Sequence, residues 1–141
     1  IETFRVHITD KSHPLTHGIE DFEIEDEPYY CEFYGDNHVL MEAYYNAPST
    51  AYEYPDFGTS RKSQPQMYLH RVGRGEVLYL TLGHCSGKYD RLHAQEVSPV
   101  VRCAWNYPVF YELLRRGIHW GIQDDDLQLT TDPNKFRLGP S

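Results

Sequence analysis

Gln66-Met67-Tyr68-Leu69-His70-Arg71-Val72, then Gly73-Arg74-Gly75, then Glu76-Val77-Leu78-Tyr79-Leu80-Thr81-Leu82-Gly83-His84 reads as a β-hairpin. Two apolar runs flank a short turn whose glycines supply the positive φ that a tight reversal needs. The exit from the second run decides the fold class. Past Gly83 and His84 comes an irregular stretch to Trp105, and residues 106–120 then form a predicted helix. Asn106 is placed to cap it, and Pro108 sits in the first turn, where a missing N–H costs nothing. Val109, Phe110, Leu113, Leu114 and Ile118 make its apolar stripe. A strand that leads through a loop to a covering helix belongs to α/β architecture.

Three more strands are expected upstream. Residues 3–8 alternate, with Phe4, Val6 and Ile8 on one face and Arg5 and His7 on the other. Phe22 and Ile24 alternate with Glu23 and Glu25 until Pro28 removes a ladder donor. Val39, Met41, Tyr44 and Tyr45 mark residues 38–45. Between them His13-Pro14 and Gly18 shape a turn, and the aperiodic residues 46–64 form a candidate lid. The reading is a domain over residues 1–122 followed by a polar tail, 123–141. About five strands and one long C-terminal helix leave one sheet face bare, because a single helix covers a single face. The chain is therefore expected to need an N-terminal half or a partner chain, or to form a homo-oligomer, with Leu40, Tyr44, Leu78 and Leu80 on the bare face. Ile rather than Met at position 1 fits a chain trimmed or cut from something longer.

Composition narrows the function. Thirteen Lys and Arg stand against 21 Asp and Glu, a formal charge of −8, the wrong sign for attraction to a phosphate backbone, so nucleic acid is not an expected partner. No apolar run approaches the roughly 20 residues of a membrane span, and no membrane association is expected. Cys31, Cys85 and Cys103 are too few and too scattered for a disulfide framework, which points to a reducing, cytoplasmic location.

Three segments, in order, carry a resemblance: His13-Pro14-Leu15-Thr16-His17-Gly18-Ile19 with the acidic run Asp21 to Glu27 and Tyr29; Gly73 to His84; and Phe110 to Trp120. Together they are similar to the C-terminal half of the ThuA-like (trehalose utilisation) family. That resemblance implies a flavodoxin-like sheet of the class I glutamine amidotransferase type, here as its C-terminal half, and a role in carbohydrate catabolism with a small-molecule sugar as partner. The stretch from Cys85 to Trp105 is longer than the family's usual link to the last helix. Amidotransferase activity itself is not expected, since no nucleophile-elbow sequence exists in the chain.

His84 is the candidate catalytic residue, because it lies just past the end of a strand, where open α/β sheets place their ligand crevice. Glu25, Asp26 and Glu27 crowd three carboxylates, which must share a proton, bind a cation or face water. With Tyr29, Tyr89 and Asp90 they are the candidate substrate-binding groups, fixing sugar hydroxyls. Alternation places Glu25 and Glu27 on one face. Seven of the 12 tyrosines, Tyr29, Tyr30, Tyr34, Tyr44, Tyr45, Tyr52 and Tyr54, lie in one region, where they serve either as sugar-stacking rings or as ordinary strand residues. His13 and His17 have a metal-ligand interval, but Pro14 and Gly18 make a turn of it. No cofactor is expected, a divalent metal near His84 being the alternative. The reaction expected is general acid/base chemistry by His84 on a disaccharide or oxidised sugar derivative. A non-catalytic sugar-binding or partner-docking module beside an oxidoreductase is the other reading.

Overall fold

The computed structural model describes residues 1–45, 63–87 and 100–122. Strands β1 (Glu2–Ile8), β2 (Phe22–Asp26), β3 (Asn37–Tyr44), β4 (Ser63–Val72) and β5 (Gly75–Leu80) form one sheet in the order β2-β1-β3-β4-β5. Every ladder between them is antiparallel. A 3₁₀ turn, Cys103–Asn106, leads into helix α1, Pro108–Gly121. The class is α/β, with an antiparallel sheet and one C-terminal helix. The tail 123–141 and most of the proposed lid lie outside the described residues. The last two lid positions, Ser63 and Gln64, belong to β4.

In β1 the alternation is kept: Phe4, Val6 and Ile8 are buried, while Thr3 and Arg5 are exposed. β3 and β4 depart from it. Their pairing shifts register on either side of the Met41–Met67 pair, skipping Leu40 on one strand and Gln66 on the other. Each shift turns two successive side chains inward, so Leu40 and Met41 are both buried, and so are Gln66 and Met67. Leu40 thus lies in the core and not on a bare face. Leu78 and Leu80 are half-buried, and only Tyr44 of that expected set is exposed. The outer face of the hairpin instead shows Val77 and Tyr79. At the turn Gly73 alone has positive φ, +60°, the requirement of a type II′ reversal, and Gly75 is simply the first residue of β5.

The sheet order places β5 at one end of the sheet.

α1 starts two residues later than the predicted cap. Asn106 belongs to the 3₁₀ turn, and Tyr107 holds the N-cap position without a side-chain cap. Its hydroxyl instead accepts the N–H of Glu25 at 3.1 Å. Phe110 and Leu113 are buried as the stripe predicts, but Ile118 is 64% exposed. The cause is Gly117, where a Cβ would stand 3.0 Å from Leu78 Cδ2. Closest approach through that glycine turns Ile118, about 100° further round the helix, toward water. Arg116 is fully buried, which the sequence reading did not foresee. It donates to Leu15 O (3.2 Å), His17 O (2.8 Å) and Glu112 Oε1 (2.7 Å). The His13–Gly18 turn is thereby tied to α1. Within that turn His13 Nδ1 accepts the N–H of Leu15, and Gly18 takes a φ of +72°. His13 and His17 therefore serve a turn and not a helical face.

Candidate functional site

Two strand ends build the site. β2 ends in Asp26, and Glu27, Pro28 and Tyr29 continue the chain; β5 ends at Leu80, and Thr81 to His84 leave the sheet. Asp26 joins them. Its buried carboxylate accepts the N–H groups of Gly83 (2.7 Å), His84 (3.0 Å) and Glu27 (2.9 Å). Burial pushes its pKa up, and the three N–H donors pull the other way. Asp26 is thus a positioning group that locks the loop carrying His84. Gly83 makes the corner at φ +128°, its carbonyl held by Trp105 Nε1 at 2.9 Å.

On that frame His84 Nδ1 lies 2.5 Å from Glu27 Oε2. Tyr29 donates its hydroxyl to the same carboxylate oxygen at 2.7 Å and stands 3.4 Å from His84 Nδ1. Burial, reinforced by Glu27, pushes the Tyr29 phenol up to about 12, so it remains a donor across the neutral range. With Glu27 on Nδ1, that nitrogen carries a proton and Nε2 is the one left for chemistry. A carboxylate on Nδ1 orients an imidazole and stabilises its protonated form, the role such a group plays for a general acid or base.

His84 lines a cavity of about 360 Å³ together with Tyr29, Cys31, Tyr79, Thr81, Leu82 and Gly83. Among the described residues no Lys or Arg lines it. Burial pushes the Cys31 thiol up, which keeps it a weak nucleophile. Cys31, Cys85 and Cys103 are all free thiols.

Among the expected site residues, Asp26, Glu27, Tyr29 and His84 come together. Glu25 does not. It is exposed on β2, and its main-chain N–H donates to the Tyr107 hydroxyl. Glu27 has left the strand, so the two-residue alternation that pairs it with Glu25 no longer applies. Tyr89 and Asp90 lie outside the described residues, as do Tyr52 and Tyr54. Tyr30 and Tyr45 pack inward as a pair at 5.3 Å, with Tyr45 also against Phe4, so those tyrosines are core. Cys31, Tyr79 and Thr81 went unnoticed in the sequence. Tyr79 and Thr81 share a face by the period of two, a signal available to inspection, whereas Cys31 reaches the cavity only through the tertiary path of residues 27–34. Among the described residues no three His, Cys, Asp or Glu side chains are arranged to hold a metal ion. No helix among them is long and apolar enough to cross a membrane.

The sequence matches no curated relative and no solved structure. It does match the ThuA family, described as trehalose utilisation, over residues 1–107, a span that includes β1 to β5, Glu27 and His84. The chain belongs to the ThuA, or trehalose utilisation, family.

Proposed function

We propose that the chain processes a neutral disaccharide or an oxidised sugar derivative, with His84 as general acid or base, Glu27 orienting its imidazole, and Tyr29 donating a hydrogen bond beside it. The observation that carries this reading is the contact of Glu27 Oε2 with His84 Nδ1 at 2.5 Å, on a histidine that lines a cavity. Membership of a carbohydrate-utilisation family supplies the substrate class. Glu25, Tyr89 and Asp90 remain proposed hydroxyl contacts, and neither a cofactor nor a metal enters the proposal. The antiparallel sheet is proposed to be the C-terminal half of a flavodoxin-like, amidotransferase-type domain, completed by an N-terminal half or a partner chain. Three free thiols fit a cytoplasmic location.

Substituting the dyad tests the reading. His84→Gln should lower turnover of a disaccharide or its oxidised derivative by about 10²–10⁴-fold, the span of general acid–base contributions. Glu27→Gln should lower it less and shift its pH profile. Unchanged turnover in His84→Gln would refute the catalytic role.

A second reading, the non-catalytic module, has its own observation. Among the described residues β5 is an edge strand, and because Thr81 N bonds to Gln66 O, the N–H and C=O of Glu76, Leu78 and Leu80 point away from β4. Such an edge is suited to pairing with β5 of a second copy. Sugar binding that persists in His84→Gln, with no turnover in either protein, would favour this module.

A further inference from the structure

Tyr79 borders the cavity at His84. That ring stacks on Tyr68 with centroids 5.4 Å apart, and Tyr68 borders a second hollow of about 290 Å³ lined also by Glu32, Phe33, Tyr34, His70 and Val77. The two hollows share no lining residue, but neighbouring stretches of the same two segments line them. Tyr29 and Cys31 border the first, and the next residues, Glu32 to Tyr34, border the second. β5 continues between them in the same way, with Tyr79 at the first and Val77 at the second, on one face by the period of two. Two residues of strand advance about 7 Å, a step that carries one sugar ring past another.

The second hollow has the chemistry of a ring-binding site. Phe33 meets Tyr68 edge-on at 5.3 Å, and Tyr34, 74% exposed, donates its hydroxyl to Glu32. His70 is held from two sides. Asn37 Oδ1 lies 2.8 Å from its Nδ1, and the Asn37 Nδ2 donates to Tyr34 O at 3.2 Å. At Gly35, with φ +72°, the chain passes so close that a Cβ would stand 3.3 Å from His70 Cε1. His70 Nε2 has no partner among the described residues, so it and the Glu32 carboxylate are available to hydroxyl groups. Among the described residues no Lys or Arg lines the hollow, which leaves phosphates and carboxylates without a counter-charge from them. Aromatic faces beside a few oriented polar groups match the CH face and hydroxyl rim of a neutral sugar.

We infer that this hollow, bordered by Tyr34, Tyr68 and His70, is a subsite for a second neutral sugar ring, continuous with the His84 cavity, so that the groove holds carbohydrate of at least two rings. The inference rests on the carbohydrate reading of the His84 site and adds a place for the second ring. Isothermal titration of the full chain with glucose and with trehalose, maltose, cellobiose and sucrose tests it. At least one disaccharide should bind about tenfold more tightly than glucose. Tyr34→Ala, at an exposed side chain, should remove that advantage and leave glucose affinity within about twofold. Glucose binding with no gain from any second ring would overturn the subsite alone. Equal loss for glucose and disaccharide in Tyr34→Ala, or no loss for either, would do the same. If neither class of sugar binds, the carbohydrate reading falls and the subsite with it. A change of oligomeric state in Tyr34→Ala with sugar affinity unchanged would show a protein-covered face and would also overturn the subsite.

Discussion

Gly83 holds the strictest position in the site. At φ +128° it occupies backbone space that side chains rarely enter, and a Cβ there would stand 3.0 Å from Phe110 Cζ. Phe110 is buried and wedged against Trp105 at 4.9 Å, so it has little room to yield. Gly83→Ala should therefore cost roughly 1–3 kcal/mol from backbone strain, and it should move the neighbouring His84 away from Glu27. Chemical denaturation reads the first effect, and the imidazole NMR signal of His84 reads the second. An unchanged denaturation midpoint would mean that the corner relaxes at no cost. His84 and its acidic neighbours were legible in the sequence because a residue past a strand end, opposite a carboxylate cluster, has a predictable place. The constraint on Gly83 was not legible, since it comes from an aromatic ring 27 positions later in the chain.

Among the elements, α1 and the His13–Gly18 turn depend on one side chain. Arg116 donates to the carbonyls of Pro14, Leu15 and His17 in the turn and to Glu112, and it is almost wholly buried. Removing a buried charge from its partners typically costs about 3–5 kcal/mol. Arg115 remains bonded to Glu112 at 2.8 Å, so Arg116→Met should fall near the lower end of that range, measured as a shift in urea midpoint. A loss well below 1 kcal/mol would show that water replaces the guanidinium among those carbonyls. The apolar periodicity of α1 identified the helix and its Phe110 and Leu113 anchors. It misjudged Ile118, because the distance of closest approach is set by Gly117 against Leu78, and periodicity does not contain that contact. The same reason separates β1 from β3 and β4. A plain two-residue alternation survives where the ladder is regular, and is lost at Leu40 and Gln66, where the register shifts.

For the whole molecule, the balance of carboxylates sets the response to acid. Asp10 is held down at about 2, chiefly by the hydroxyl and N–H of Ser12, with His38 and the N–H of His13 adding to it. The N–H of Ile8, then His7, lowers Asp21. Burial pushes Glu112 up, but the hydrogen bonds and charges of Arg115 and Arg116 outweigh it and leave it lowered. Each of these three contributes stability above its unfolded pKa, near 4, and loses it as pH falls through the folded value. Asp26 has the opposite sign. Its pKa is raised by burial, so its contribution is present below the unfolded pKa and is lost as pH rises through the folded one. Three groups against one predict net destabilisation by acid: the urea midpoint should fall steadily from pH 5 to pH 2. Asp10→Asn should flatten the lower part of that curve, below about pH 4, where the unfolded carboxyl takes up a proton that the folded one still refuses. A midpoint equal at pH 3 and pH 6 would contradict this balance. A steep fall unaltered in Asp10→Asn would move its origin to Asp21 and Glu112, the carboxylates that tie β1 to the chain before β2 and α1 to the turn beneath it.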